Sequence, residues 1–591
     1  MKTSLKKITT ILVPVSMAIV FLMGCTKNLL DEQPLNAISD EALWSDPNLV
    51  LTFINQRYDQ IGHGWPESWM SSVSDETYMT WARGCEPITQ GYVNPSNLGR
   101  MNGGWYGFDN RSWPTVWANI KDCNIFFSKI DAVPFLPADS LKKKRFIGEV
   151  TFIRALMYFD LVSKWGGVPL ITKVYDLSNL DEGSKLARNT YTDCVNFIES
   201  ECDKAASLLP ASFSGNDQGR ATSVSALALK ARMMLYAASP LMNKAGVDPL
   251  VGNPAPDANR WQAVADADKK VIDMALANGY SLYNASPDVK TNYTNMFLDK
   301  ANQEVLFSRQ NYGNSNNAEY IDQANGPNGY DQWGGNTPTQ EYVDDFEMAD
   351  GSKFDWSNPI EAANPYLNRD PRLYAFVLCD GDMWKGRAVE SHFTEGPAGV
   401  FKGGLDTKDG PNTWNSSKTG YNMRKFINPD YVTDSWVFVG ASAQNWVWLR
   451  LAEFYLDYAE AQFNLGNETE AKSSTYGLNV IRTRAQMPLV SSTGTALWNS
   501  IVNERRIELS FEEHRYFDLR RWMMADSVLN KKATGVIIYK YLNGTTVYKA
   551  HAADGSTDTE IRKFTSPQMY WLPIPQSEID KNANLKQNPG Y

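Results

Sequence analysis

The densest group of ionisable residues lies at positions 504–522 and includes Glu504, Glu508 and Glu512. Their spacing of four places them on one face of a helix. A glycosidase needs only two carboxylates, but its general acid must have a raised pKa. Neighbouring guanidinium groups lower the pKa of a carboxylate instead. The nearest guanidinium groups in the sequence belong to Arg505, Arg506 and Arg515. The stretch therefore predicts a structural ion-pair network between these arginines and glutamates, and not a catalytic site.

Other catalytic and metal-binding patterns are absent from the sequence. The four histidines do not occur in HExxH or in another metal-ligand spacing, and there is no GxSxG, P-loop or GxGxxG motif. Beyond Cys25, five cysteines remain without a CxxC pair, so neither a zinc site nor a disulfide framework is implied. We predict no catalytic residue, no metal and no cofactor.

Aromatic residues in polar loops are the unusual chemical feature. The chain contains 19 Trp, 28 Tyr and 25 Phe, and some of the tryptophans lie in Gly- and Asn-rich segments. Flat rings flanked by hydrogen-bonding groups can hold a sugar, which has an apolar C–H face and a rim of hydroxyls. Two loop clusters, at 75–108 and at 330–336, offer both. The candidate residues are Asp75, Trp81, Arg83, Asn102, Trp105 and Tyr106 in the first cluster, and Tyr330, Trp333 and Asn336 in the second. The alternative is that each ring only packs its own loop.

The amino terminus carries a processing signal. Lysines at positions 2, 6 and 7 precede a 13-residue run at 11–23 that is mostly apolar, too short to span a bilayer, which needs about 20 such residues. The run ends in Gly24 and Cys25, which resembles the lipobox of bacterial lipoproteins. We predict a signal peptide at 1–24, acylation of Cys25 and a polar tether at 25–45.

The charge of the chain limits its partners. The sequence has a formal net charge of −10, and removal of 1–24 leaves 54 basic against 67 acidic residues, or −13. Such a surface repels nucleic acids and other polyanions. Neutral ligands fit this charge better than sulfated or uronic ones.

Two parts of the sequence have helical periodicity and must position the loops. The predicted helices of the first part, about 113–280, are 146–164, 191–209, 222–238 and 260–278. Those of the second part, about 446–525, are 449–465, 468–484 and 497–511. Small residues near the turns resemble tetratricopeptide hairpins. Between the two parts, residues 281–445 are rich in Gly, Asn, Pro and Asp, which predicts loops with a few short strands.

Motifs along nearly the whole mature chain resemble the SusD/RagB family. The segments 503–509 (NERRIEL) and 515–522 (RYFDLRRW) closely resemble its signature. Further matches, in the family's order, are 152–159 (FIRALMYF), 165–170 (WGGVPL), 219–222 (GRAT), 229–232 (LKAR), 369–372 (RDPR), 450–453 (RLAE), 459–461 (AEA), 479–484 (NVIRTR), 572–575 (LPIP) and 587–591 (QNPGY). One departure is Glu513-His514, where the family often has a Gly.

The resemblance implies a fold, a location and a partner. It implies a mainly α protein with a tetratricopeptide-like helical hairpin scaffold and a loop-rich ligand-binding part, as one body at 46–591. It also implies an outer-membrane lipoprotein that faces the cell exterior and delivers glycan to a SusC-like TonB-dependent transporter. A peptide-binding RagB-like role and, from another class, a surface glycosidase are the alternatives.

Overall fold

The computed structural model describes residues 39–64, 70–81, 84–102, 111–175, 180–183, 185–300, 302–311, 320–431, 442–552 and 560–591. The predicted signal peptide and Cys25 lie outside these residues. Within these ranges, no helix is long and apolar enough to cross a membrane.

Helices of seven or more residues form most of the scaffold. They are α1 (Pro47–Asp59), α2 (Trp113–Lys129), α3 (Ser140–Trp165), α4 (Tyr191–Leu208), α5 (Ser223–Ala238), α6 (Arg260–Ala277), α7 (Val289–Asn295), α8 (Leu451–Asn464), α9 (Leu478–Arg484), α10 (Gly494–Glu508) and α11 (His514–Arg521). Shorter α-helices lie at Asp40–Leu43, Glu86–Thr89, Leu180–Gly183, Ile321–Asn325, Gln340–Asp344, Pro359–Ala363, Leu373–Phe376, Glu468–Ala471, Ala525–Leu529 and Gln576–Lys581. Single 3₁₀ turns lie at Met70–Val73, Gly99–Asn102, Ile130–Ala132, Pro137–Asp139, Gly215–Asp217, Asn328–Tyr330, Thr413–Asn415 and Gln568–Tyr570.

The long helices pack in a continuous row. Helices α3, α4, α5 and α6 each contact the next, α6 contacts α8, and α8 contacts α10. Small residues allow this close packing: a Cβ added at Gly148 in α3 would lie 2.9 Å from a Leu209 side-chain carbon at the end of α4. The fold class predicted from the sequence, mainly α with helical hairpins and a loop-rich part, is confirmed.

Local sequence fixes where several helices begin and end. Thr190 starts α4 and Thr222 starts α5, each in a capping box that satisfies free backbone N–H groups. Helix α3 ends at Gly166, whose φ of 77° favours glycine. Predicted helix ends are mostly within two residues of those observed, although α3 begins six residues earlier than 146.

The single helix predicted at 468–484 is wrong. The segment forms Glu468–Ala471 and α9, separated by an irregular stretch. In that stretch, the Ser473 hydroxyl accepts hydrogen bonds from the backbone N–H groups of Thr475 at 3.1 Å and Tyr476 at 3.3 Å. This local bonding competes with the helix.

Short strands are found mainly in the loop-rich part. They are β1 (Thr77–Met79), β2 (Val305–Arg309), β3 (Asn336–Pro338), β4 (Val377–Leu378), β5 (Met383–Trp384), β6 (Arg387–Ala388), β7 (His392–Glu395), β8 (Phe401–Gly403), β9 (Asn422–Met423), β10 (Trp446–Arg450), β11 (Gly535–Lys540) and β12 (Thr546–Ala552). The sheet β12-β11-β7-β8 is the largest described, and β1 with β3, β2 with β10, β4 with β9 and β5 with β6 form two-stranded pairs.

A buried ion-pair network joins these loops to the helical row. Glu508 in α10 pairs with Arg450 at 2.7 Å, with Arg372 at 3.2 Å and with Arg484. Burial would raise the pKa of Glu508, but the three guanidinium groups outweigh it and hold that pKa well below its usual value. The structural interpretation of this stretch is therefore supported.

The predicted partners within that network are wrong. Arg505 pairs with Asp457 and Asp518, and not with the glutamates of its own segment. Likewise, Arg506 and Arg515 pair with aspartates. Successive helical residues point about 100° apart, so Arg506 lies nearly opposite the face that carries Glu504 and Glu508, and Arg505 points to one side of that face.

Candidate functional site

A short β-ladder brings the two predicted loop clusters together. Strands β1 and β3 pair antiparallel, with Met79 opposite Asn336. The pairing continues past Met79, because the Thr80 N–H donates to the Gly335 carbonyl at 2.8 Å. Trp81, which follows β1, therefore lies beside the loop that precedes β3.

Three half-buried aromatic rings meet at this end of the ladder. The ring centroids of Trp81 and Trp333 lie 5.9 Å apart with planes at 75°, and those of Tyr320 and Trp333 lie 5.8 Å apart with planes at 57°. Such tilted arrangements are favourable for aromatic pairs. We call Trp81, Tyr320 and Trp333 the ring cluster. It presents ring surface that is only partly covered by the protein.

Backbone hydrogen bonds hold the Trp333 loop in place. The N–H of Trp333 donates to the Gln323 carbonyl at 2.8 Å, and the N–H of Gly335 donates to the Ala324 carbonyl at 2.8 Å. A Cβ added at Gly335 would lie 2.7 Å from that same Ala324 oxygen and 3.1 Å from the Trp81 ring. Only glycine lets the loop approach Trp81 this closely.

Asn336, a predicted ligand contact, is buried in the support of this loop. Its side-chain N–H donates to Asn325 Oδ1 at 2.7 Å, and its Oδ1 accepts from the Ser72 hydroxyl at 2.7 Å. The amide therefore links β3 to the Trp333 loop and to the segment before β1.

Tyr330 lies on the same loop and is half-buried. Its hydroxyl donates to the Arg387 carbonyl at 2.9 Å, and the Arg387 guanidinium lies 3.7 Å from the ring centroid. Asp406 holds that guanidinium at 2.8 Å. Burial raises the pKa of Tyr330 to about 12. One face of this ring is thus occupied by arginine.

The other described candidates have partners within the protein. Asp75 pairs with Arg506 at 2.8 Å and with Arg515 at 2.8 Å. Burial would raise the pKa of Asp75, but these two arginines hold it below its usual range. Asn102 accepts a hydrogen bond from the Trp113 N–H at 3.2 Å, at the start of α2. Three further candidates lie outside the described residues: Arg83, Trp105 and Tyr106.

The sequence interpretation missed Tyr320. It follows an Asn- and Gly-rich stretch at 311–317, which is the same kind of setting as the predicted rings. Its neighbour Trp333 is 13 residues away, and no local pattern indicates that the two rings meet.

The carboxyl groups near β1 do not have the properties of a general acid. Glu341 and Asp344 flank His551 in a cleft of about 310 Å³. Burial alone would raise the pKa of Glu341, but hydrogen bonds from His551 and Thr534 outweigh burial. The net effect is a lowered pKa. Glu76 has its pKa raised to about 8 by burial, yet only 1% of it is exposed, so no substrate reaches it.

No metal centre is found in the part of the chain that the structure describes, since no group of three or more His, Cys, Asp or Glu side chains could hold an ion. The five cysteines within these ranges are buried and free.

Comparisons with known proteins give SusD or SusD-like matches along most of the chain. Residues 303–591 match the model described as the SusD family, and residues 52–235 match a SusD-like model described as starch-binding associating with the outer membrane. A SusD-like protein of Bacteroides ovatus is 23% identical over 512 residues, which cover 83% of this chain and 81% of that protein.

Solved structures give the same result. A SusD-like protein from Bacteroides fragilis superposes with a TM-score of 0.75 at 28% identity, covering 95% of this chain and 100% of that chain. A SusD-like carbohydrate binding protein from the same species has a TM-score of 0.71 at 23% identity, covering 92% of this chain and 100% of that chain.

Proposed function

This chain belongs to the SusD family, and we propose that it captures neutral glycan chains at the cell surface with the ring cluster. The observation that carries the proposal is the meeting of Trp81 and Trp333, whose rings come from distant loops and lie 5.9 Å apart. Trp81 also packs against the core, but each ring stays only half-buried and so offers a stacking surface to a ligand.

The chemistry of a sugar suits this arrangement. The apolar C–H face of a pyranose stacks on an aromatic ring, while its hydroxyls need hydrogen-bonding groups at the edge. The net charge of −10 disfavours anionic chains and leaves neutral glycans as the better ligands. Two or three ring contacts, less the cost of ordering the chain, correspond to a Kd of about micromolar to millimolar.

The remaining candidates enter the proposal in two groups. Asn102, Tyr330, Arg83, Trp105 and Tyr106 are proposed as edge contacts to the bound glycan, three of them on sequence grounds alone. Asp75 pairs with two arginines and Asn336 is fully buried, so we propose that they support the site by holding arginines and the Trp333 loop in position.

We propose that the protein binds glycan without hydrolysing it. The accessible carboxyl groups near strands β1 and β3 pair with other groups of the protein. Of the two carboxylates beside His551, Glu341 has a lowered pKa, whereas a glycosidase requires a carboxylic acid with a raised one. The peptide-binding alternative would favour acidic and backbone-pairing groups over aromatic rings, and the site offers rings.

The test is a screen of residues 26–591 on an array of neutral and anionic glycans and of peptides. We expect retention on neutral glycans, with labelled oligosaccharides recovered at unchanged length. Shortened products would instead support the glycosidase alternative, and retention only on peptides would support the RagB-like one. An absence of retention on every glycan would contradict the proposal.

The proposed partner is a SusC-like TonB-dependent transporter that receives the glycan. Membership of a family described as associating with the outer membrane supports this assignment. Gentle detergent extraction of the tagged protein from its own bacterium should recover a β-barrel-sized partner in near-equal amount. Recovery of the tagged chain alone under the same conditions would contradict it.

A further inference from the structure

One tryptophan outside the ring cluster is strongly exposed. Trp414 shows 65% of its surface to solvent, and no other tryptophan in the described ranges is comparably exposed. Its neighbours Asn415 and Ser416 are buried, at 4% and 0% exposure. The ring is therefore exposed beside the buried residues that follow it, and a large exposed apolar surface of this kind is typical of an interaction site.

The turn that carries Trp414 is fastened on both sides to the Trp333 loop. Before the turn, the Asn412 side chain donates to Asp331 Oδ1 at 3.1 Å and to the Asn328 carbonyl at 3.3 Å. The Asn328 side chain donates back to the Asn412 carbonyl at 3.3 Å. Because these bonds are reciprocal, the turn is held against the loop.

After the turn, the two backbones are in direct contact at Gly334. A Cβ added there would lie 2.7 Å from the Asn415 carbonyl oxygen and 3.2 Å from the Ser417 nitrogen. The φ of Gly334 is 51°, which also favours glycine. A side chain at this position would push the Trp414 turn away from the Trp333 loop.

Trp414 and Trp333 therefore lie close together in the fold. Each is one residue, about 3.8 Å of chain, from the contact between Asn415 and Gly334, so their Cα atoms lie within about 15 Å of each other. Polar groups lie two residues from each ring along the chain, since Asp331 is exposed and Asn412 is half-buried. Two neighbouring rings with polar side chains nearby suit successive units of one sugar chain.

We propose that Trp414 is a second stacking subsite for the same glycan, so that the ligand is an extended oligosaccharide whose units contact both the ring cluster and Trp414. This inference rests on the proposed function. It predicts binding that depends on chain length, because a short oligosaccharide occupies the ring cluster alone while a long one reaches both places.

The experiment compares Trp414→Ala with Trp333→Ala against the glycan that the array selects, in its disaccharide and hexasaccharide forms. Trp356→Ala is the matched control, a half-buried loop tryptophan that packs on Phe354 and donates to Asp344 away from the ring cluster. We expect Trp414→Ala to weaken hexasaccharide binding about 2- to 10-fold, the contribution of one ring contact, and to leave disaccharide binding unchanged.

The possible outcomes separate the two proposals. If Trp414→Ala binds the hexasaccharide like the wild type while Trp333→Ala does not, the second subsite is refuted and the proposed function stands. An equal loss for both chain lengths would also refute it, since Trp414 would then act on the ring cluster itself. If neither variant affects binding, the proposed site and the second subsite both fail.

Discussion

Glu76 and Glu508 are both buried carboxyl groups, yet their surroundings shift their pKa values in opposite directions. Burial and the charge of Asp75 raise the pKa of Glu76 to about 8, although Arg515, Arg506 and a hydrogen bond from the Phe511 N–H at 3.2 Å oppose the shift. For Glu508, three arginines outweigh the same burial. Residue type alone therefore does not give the charge of a buried group.

Glu76→Gln should change the pH dependence of stability. The pKa of Glu76 is raised from 4.5 to about 8 on folding, so its contribution is fully present below pH 4.5 and is lost as pH rises towards 8. The variant should not show this pH-dependent loss of unfolding free energy. In the wild type, one proton gives a maximal slope of about 1.4 kcal/mol per pH unit. Urea unfolding from pH 4.5 to 8.5 measures it. Identical pH profiles for the two proteins would show that the Glu76 pKa is not shifted.

Single aromatic residues were the most predictable part of the site. Trp81 and Trp333 stand out in the sequence because they lie in polar loops. Their contact could not be predicted, because it depends on the pairing of β1 with β3 across more than 250 residues. For the same reason Tyr320 was missed.

At the scale of helices and strands, amphipathic periodicity predicted the row from α3 to α6 well. The periodicity failed at 468–484. There a serine hydroxyl accepts hydrogen bonds from nearby backbone N–H groups and interrupts the helix, although the sequence pattern is typical of a helix. Residue spacing also failed to predict the partners of Arg505 and Arg506. The helix packs on several sides, and these arginines form their ion pairs with residues of other segments.

Glu508→Gln should destabilise the junction of α10 with the loops. The change removes the charge that faces Arg372, Arg450 and Arg484, and it leaves those guanidinium groups partly unpaired in the interior. Loss of one partner in a buried network costs about 3–5 kcal/mol of unfolding free energy.

Lys269→Gln provides the control for this prediction. It removes an exposed i,i+4 pair with Asp273 in α6, which should change the unfolding free energy far less. Urea denaturation of both variants measures the difference. Equal stability of Glu508→Gln and the wild type would contradict a structural role for the network.

At the scale of the whole molecule, the prediction concerns the anchor. A run at 11–23 followed by Gly24 and Cys25 predicts that the chain is held at the membrane by acylation. Cys25→Ala should abolish palmitate labelling and should either release the chain or leave its signal uncleaved. A matched Ser16→Ala variant should label normally. A Cys25→Ala protein that labels and stays in the membrane fraction would refute the anchor.

The helical row and the loops have different roles in the molecule. Family motifs lie largely in the row and the ion-pair network, which set the fold, whereas the rings lie in loops, the part of a fold that usually differs most between relatives. This separation explains why the sequence could predict the architecture but does not identify the glycan.

Affinity-gel retardation of Trp81→Ala and Trp333→Ala is the measurement that decides whether the ring cluster binds glycan. Both variants should lose most of the retardation seen for the wild type in a gel that contains the array-selected polysaccharide, because each removes a stacking surface. Both variants should still unfold in one cooperative transition above the assay temperature, and the Trp356→Ala control should keep its retardation. If both ring variants are retarded as much as the wild type, the ring cluster does not bind the glycan and the glycan site lies elsewhere on the protein.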